Sequence, residues 1–191
     1  MKKVLVLLAT VLLFIGCEDT DFEQGKKAYE KKDYITAKPL FEKSCDSGNA
    51  EACENLGKLY YWGKTTGKEY DTSKSFSERA EESKPFFEKA CDKKNGKACD
   101  YLGTIYSKNY QGSGGDYFKG NEYEEKSCKY GHALGCVSLG HSYYLGLGVR
   151  QNLATAVEFY GKGCDLGAQE GCKYYKETSA KLFFRETIEN K

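Results

Sequence analysis

An all-α array of stacked helix pairs is the fold class this sequence predicts, and three observations carry the prediction. Eight of the nine cysteines form four C-x7-C pairs: Cys45 and Cys53, Cys91 and Cys99, Cys128 and Cys136, Cys164 and Cys172. The pairs recur at intervals of 46, 37 and 36 residues (45 to 91, 91 to 128, 128 to 164), the mark of a repeat architecture. Three of the second cysteines open the same motif, C-x2-L-G-x2-Y, at Cys53, Cys99 and Cys136, which sets cysteine, leucine and tyrosine on one face of a helix. The segment closing on each first cysteine, such as Phe41-Glu42-Lys43-Ser44-Cys45 or Phe87-Glu88-Lys89-Ala90-Cys91, reads as a helix C-terminus. Apolar residues there fall at amphipathic spacing (Ala37, Leu40 and Phe41; Ala156, Phe159 and Tyr160), and lysine suits the negative end of the helix dipole.

In chain order, Met1-Lys2-Lys3, the apolar run from Val4 to Ile15 and Gly16-Cys17 read as a bacterial-type secretory signal, residues 1–16. Twelve apolar residues are short of the roughly twenty a membrane-spanning helix needs. Residues 17–21 are expected to be an acylated Cys17 with a short tether, 22–178 the repeat array, and 179–191 a C-terminal extension. Phe22 to Ser44 reads as a helix pair without an upstream cysteine. The polar stretch Lys64 to Glu82 is an insertion, expected to be a long loop or an extended second helix. Gln111-Gly112-Ser113-Gly114-Gly115 has the composition of a flexible linker. The fourth cysteine pair is followed by Tyr174-Tyr175-Lys176 in place of leucine and glycine, which suits a terminal cap.

Each cysteine pair bounds a turn if it is bridged, because bridged Cα atoms lie within about 7 Å while eight helical residues span about 12 Å. Gly48, Gly131 and Gly167 sit where a helix C-cap glycine belongs. The second unit reads Lys94-Asn95-Gly96 instead, so its turn is expected to be shifted and irregular. Zinc is the competing use of eight cysteines, but structural zinc sites favour thiolates two to four residues apart and no C-x2-C occurs. Disulfides are therefore the expected chemistry, and no metal or cofactor is expected. They require an oxidising compartment, in accord with the signal segment. The odd cysteine, Cys17, falls at the cleavage site.

The repeated motif A-x3-Y/F-x-K-x-C-D-x-G-x4-C-x2-L-G-x2-Y resembles the Sel-one-like repeats, relatives of the tetratricopeptide repeat, in the disulfide-stapled form of the Helicobacter cysteine-rich protein family. The resemblance implies an α/α superhelical solenoid with a concave face. Leu13-Phe14-Ile15-Gly16-Cys17 resembles a lipobox, with Phe14 departing from its usual leucine, and implies a lipid-anchored protein of the bacterial envelope, periplasm-facing or on the surface. Two or three acyl chains hold a protein firmly to a membrane.

That cysteine-rich family has been described as β-lactamase or penicillin-binding, so catalysis has to be weighed on the residues. Serine β-lactamases use S-x-x-K with K-T-G; no serine here precedes a lysine by three, and Lys64-Thr65-Thr66-Gly67 carries one threonine too many. The two histidines, His132 and His141, are too few for a zinc enzyme and read as exposed or partly packed. No catalytic residue is assigned. With Lys plus Arg at 29 against Asp plus Glu at 28, nothing favours nucleic acid. The expected function is a protein- or peptide-binding module, with cell-wall material as another ligand and β-lactam or peptidoglycan chemistry as the alternative. An immunity-like or assembly factor held at the membrane is a third reading. Of the paired aromatics, Tyr60, Tyr106 and Tyr143 are expected inside, leaving Tyr61, Trp62 and Tyr144 as contact residues.

Overall fold

A computed structural model describes residues 19–67, 73–108 and 115–189. The expected signal segment and Cys17 lie outside them, as do residues 68–72 of the insertion and 109–114 of the glycine-rich stretch. Among the described residues there are nine helices and no strand: α1 Thr20–Glu30, α2 Tyr34–Asp46, α3 Ala50–Tyr61, α4 Phe76–Asp92, α5 Gly96–Ser107, α6 Tyr117–Lys129, α7 Ala133–Leu145, α8 Leu153–Asp165 and α9 Gln169–Glu189. Each packs chiefly on its neighbours in the chain, as in a stapled α/α solenoid. The pairs α1/α2, α3/α4, α5/α6 and α7/α8 are the repeats, and α9 closes the series.

Short polar residues start most of these helices. Asp19, Asp33, Asn95, Asp116 and Asn152 each accept a backbone N–H three residues on, filling donors that the first helical turn leaves open. Ser75 and Glu78 form a capping box. That box starts α4 early, so part of the insertion is absorbed by a 17-residue helix. Pro39 and Pro85 lie inside α2 and α4, not in their first turns. Asp19 caps α1, whose first residues Thr20 and Asp21 fall within the expected tether, residues 17–21. The expected extension from 179 continues α9 without a break as far as Glu189.

All four cysteine pairs are bridged, with Cα–Cα distances of 4.7, 4.9, 4.5 and 4.5 Å in chain order. They join α2 to α3, α4 to α5, α6 to α7 and α8 to α9, so every staple ties one repeat to the next. The second turn is not irregular. Lys94 takes the left-handed position at φ 66° that Gly48, Gly131 and Gly167 take elsewhere. Its N–H reaches Cys91 O at 2.9 Å and that of Asn95 reaches Ala90 O at 3.1 Å, the bonds made by Gly48 and Asn49 to Cys45 O and Ser44 O. Disulfide and backbone bonds outweigh the cost of a Cβ in that conformation, about 1–2 kcal/mol. Lys94→Gly is therefore expected to stabilise the protein by about 1 kcal/mol, read as a higher denaturant midpoint at unchanged slope. A lower midpoint would refute the strained-lysine account.

The glycine of C-x2-L-G-x2-Y admits an aromatic ring from the second helix of its own repeat. A Cβ on Gly57 would lie 2.6 Å from the Phe87 ring, and one on Gly140 would lie 2.7 Å from Tyr160. Phe41, Phe87 and Tyr160 are the large buried side chains of α2, α4 and α8. In α6 the buried residues are Gly120, Asn121, Glu124 and Ser127, none of them apolar. The buried apolar residues accordingly fall into two clusters. One runs from Phe22 to Ile105; a smaller one joins Val137, Ala156, Tyr160 and Ala168. Helix α6, the second of the third repeat, contributes a buried residue to neither.

Candidate functional site

The second and fourth repeats carry a ring at three places that converge around the motif glycine. One is four residues after that glycine, one is four before the first cysteine, and one is two after the second cysteine of the staple that follows. In the second repeat these are Tyr61, Phe87 and Tyr101, with Phe87 stacked on Tyr101 at 4.5 Å and Tyr61 edge-on to Tyr101 at 5.3 Å. In the fourth they are Tyr144, Tyr160 and Tyr174, with Tyr160 and Tyr174 at 5.4 Å. In the third they are Ser107, Glu124 and Ser138.

Where those three rings are missing, the protein has a cleft of about 250 Å³. Thr104 and Ser107 reach it from α5 and Lys108 from just past its end, Tyr117 and Glu124 from α6, Ser138, His141 and Ser142 from α7, and Leu147 from the turn that follows. Glu124 is 4% exposed, and its Oε2 is buried with no hydrogen-bond partner. A Cβ on Gly103 would strike its other oxygen at 2.4 Å, so the carboxyl occupies the slot that Phe87 and Tyr160 fill elsewhere. Burial, and then the neighbouring Asp100 carboxylate, push its pKa well above the usual glutamate range. Asp100 in turn lies 3.6 Å from His132 Nε2. His141 Nδ1 is 3.0 Å from Val137 O, which leaves Nε2 of a neutral ring as an acceptor. The same ring stands edge-on to Tyr160 and Tyr174.

A carboxyl raised on folding contributes stability that is fully present below its unfolded pKa, and this is lost as pH rises through the folded pKa. Glu124→Gln removes that dependence. The variant is expected to match the parent near pH 4 and to become progressively more stable than it as pH rises. Melting both proteins across that range tests this, and a difference independent of pH would refute it.

The predicted contact residues separate. Tyr61 is 5% exposed and belongs to the core, edge-on to Phe76 at 4.9 Å. Helical spacing could not choose between it and Tyr60, one step round the same face; the ring that Gly57 admits draws Tyr61 inward. Trp62 is exposed at 41% and Tyr144 is half-buried. Tyr60, Tyr106 and Tyr143, expected inside, are half-buried. Each stacks on an aromatic of its partner helix: Phe86 at 4.8 Å, Tyr123 at 5.4 Å and Phe159 at 5.6 Å. Lysines lie over these pairs, Lys38 on Tyr60 and both Lys84 and Lys119 on Tyr106, an arrangement favoured by the ring quadrupole.

The repeats also share a polar link that motif reading missed. Asn95 donates to Glu54 at 2.9 Å and Asn49 donates to Asp19 at 2.9 Å, while His132 faces Asp100. Each joins a turn to an acid of the preceding unit. At the last turn Val137 and Ala168 take these places and meet in the second apolar cluster. For the two later links the signal was present in the sequence: an acid directly after a second cysteine, and an amide or histidine four residues before the next one. Among the described residues no group of three His, Cys, Asp or Glu side chains is placed to hold a metal. None of the described helices is long and apolar enough to cross a membrane.

The Sel1 repeat family matches residues 22–49, 50–77 and 133–167, passing over the stretch that contains α5 and α6. Among curated proteins, a putative beta-lactamase named HcpC from Helicobacter pylori is 50% identical over 40 residues, 21% of this chain and 14% of that protein. The match thus spans about one seventh of the relative's length. Among solved structures, Helicobacter pylori cysteine-rich protein B is 26% identical with a TM-score of 0.53, covering 75% of this chain and 95% of that one. A Sel1 repeat protein from Oxalobacter formigenes has a TM-score of 0.66 at 21% identity, covering 78% of this chain and 57% of the other. A protective antigen of uropathogenic Escherichia coli with an SLR fold has 0.67 at 23%, covering 86% and 33%. These matches and the stapled helix pairs described above show that the chain carries Sel1 repeats.

Proposed function

We propose that this protein is a secreted, lipid-anchored interaction module that binds a protein or peptide in the bacterial envelope. The observation that carries the reading is the row of half-buried stacked aromatic pairs, one in each of the second, third and fourth repeats. Aromatics that keep part of their surface open supply large contact area at little entropic cost. The staples suit an oxidising, extracytoplasmic compartment. Cys17, standing after the apolar leader, would carry the lipid. Crosslinking the protein in envelope preparations, with and without Trp62→Ala and Tyr106→Ala, tests the binding reading. A specific partner lost in the variants supports it, and a catch unaffected by either change refutes it. Transfer of Cys17→Ser to the soluble fraction tests the anchor.

β-Lactam hydrolysis is supported only by the name of a relative matched over 40 residues. Nitrocefin turnover that a single side-chain change abolished would overturn the non-catalytic reading.

A further inference from the structure

We propose that the cleft of the third repeat is a binding site for a primary ammonium group, the end of a free alkylamine or of a lysine side chain, received by Glu124 and the surrounding hydroxyls. This goes beyond the interaction-module reading and does not depend on it, since the cleft needs no partner protein to be complete.

The chemistry follows from what lines the cleft. Glu124 Oε2 is buried and no donor side chain reaches it, while the carboxyl is hydrogen-bonded to that of Asp100, which leaves acceptor capacity of the pair open towards the cleft. Around it stand hydroxyls, which can all accept, and His141, whose Nδ1 is already engaged with Val137 O, together with Leu147 and Lys108, whose own cation a bound ammonium must avoid. An ammonium has three donors and no acceptor, and here the acceptors converge from α5, α6 and α7 instead of lying in the plane that a guanidinium fork prefers. An anion would meet Glu124 with Asp100 behind it. The volume is below the usual range for drug-sized ligands, about 300–1,000 Å³, so it suits one small group. The site also coincides with the loss of three rings that the second and fourth repeats keep. The third repeat thus replaces core with a polar cavity at one point, where a binding function conflicts with stability.

Binding an ammonium beside a neutral carboxyl favours its ionisation, so the complex releases a proton. The groups facing Glu124 whose titration bears on this are Asp100 on α5, Lys108 just past its end, Tyr117 on α6 and His141 on α7. Calorimetric titration of the oxidised protein, in buffers of different ionisation enthalpy, decides the question. The probes are n-butylamine, n-butanol and an Nα-acetylated, C-terminally amidated lysine peptide. The expected result is binding of an amine but not the alcohol, with proton release and affinity rising from pH 5 to pH 7. Glu124→Gln should weaken it at least tenfold. Ser107→Tyr, which restores the ring of the other repeats, should abolish it with the helical spectrum unchanged. Binding by the peptide alone would assign the site to lysine side chains, and binding by butylamine as well would extend it to free amines. Equal affinity for the alcohol, no uptake of either amine, or undiminished binding by both variants would overturn the proposal.

Discussion

Reducing the four disulfides is expected to lower the thermal midpoint by roughly 20 °C or more, because each staple contributes about 2.5 kcal/mol by the chain-entropy estimate for so short a loop. Four together, about 10 kcal/mol, are comparable with the whole stability of an ordinary domain, about 5–15 kcal/mol. The effect should be graded along the array. Cys45, Cys53, Cys91 and Cys99 are buried, whereas Cys128, Cys164 and Cys172 are half-buried. The third repeat also lacks apolar anchors on α6. Mild reductant followed by alkylation and mass spectrometry should therefore label the Cys128–Cys136 and Cys164–Cys172 pairs first, with the protein still folded around the other two. Loss of the Cys128–Cys136 staple should uncouple the two apolar clusters, because repeat arrays hold together through nearest-neighbour contacts. A midpoint unchanged by full reduction would refute the stapled-rod account.

Glu124→Phe is expected to stabilise the oxidised protein by about 3 kcal/mol, the order of magnitude for burying a phenyl ring and removing an unsatisfied buried polar atom. The direction is unusual, since most substitutions at buried positions destabilise. It follows from the repeat itself: Gly103 offers the slot that Gly57 offers to Phe87 and Gly140 to Tyr160, and glutamate fills it with a carboxyl. A midpoint rise of roughly 6–12 °C would accompany this. A lower midpoint would mean that Asp100 and the cleft hydroxyls hold Glu124 more favourably than their geometry indicates. If stability rises while a ligand is lost, the third repeat has given up stability for a site.

Much of the fold was legible because helical repeats announce themselves locally. The C-x7-C spacing required a turn, the glycines marked its left-handed residue, and C-x2-L-G-x2-Y placed a buried face on each first helix. The second turn shows the limit of local reading. Lys94 lacks glycine's freedom, yet the staple and two backbone bonds hold it in the shape of its counterparts. Tyr61 shows another limit, since a helical period resolves a face but not which of two adjacent tyrosines points to its centre. The cleft was hidden for a different reason. Ser107, Glu124 and Ser138 are ordinary residues in sequence, and they become a site only when set against the rings at the same places in neighbouring repeats.

By itself the sequence determined that this protein is an array of helix pairs joined at cysteine-bounded turns, because repeat period and helical spacing act over a few residues. Only the tertiary structure decided that the staples join one repeat to the next, that Tyr61 is core while Tyr60 is half-buried, and that a carboxyl takes the place of a ring in the third repeat. Those outcomes depend on which side chains meet across helices, and packing fixes that only when the whole array closes around them.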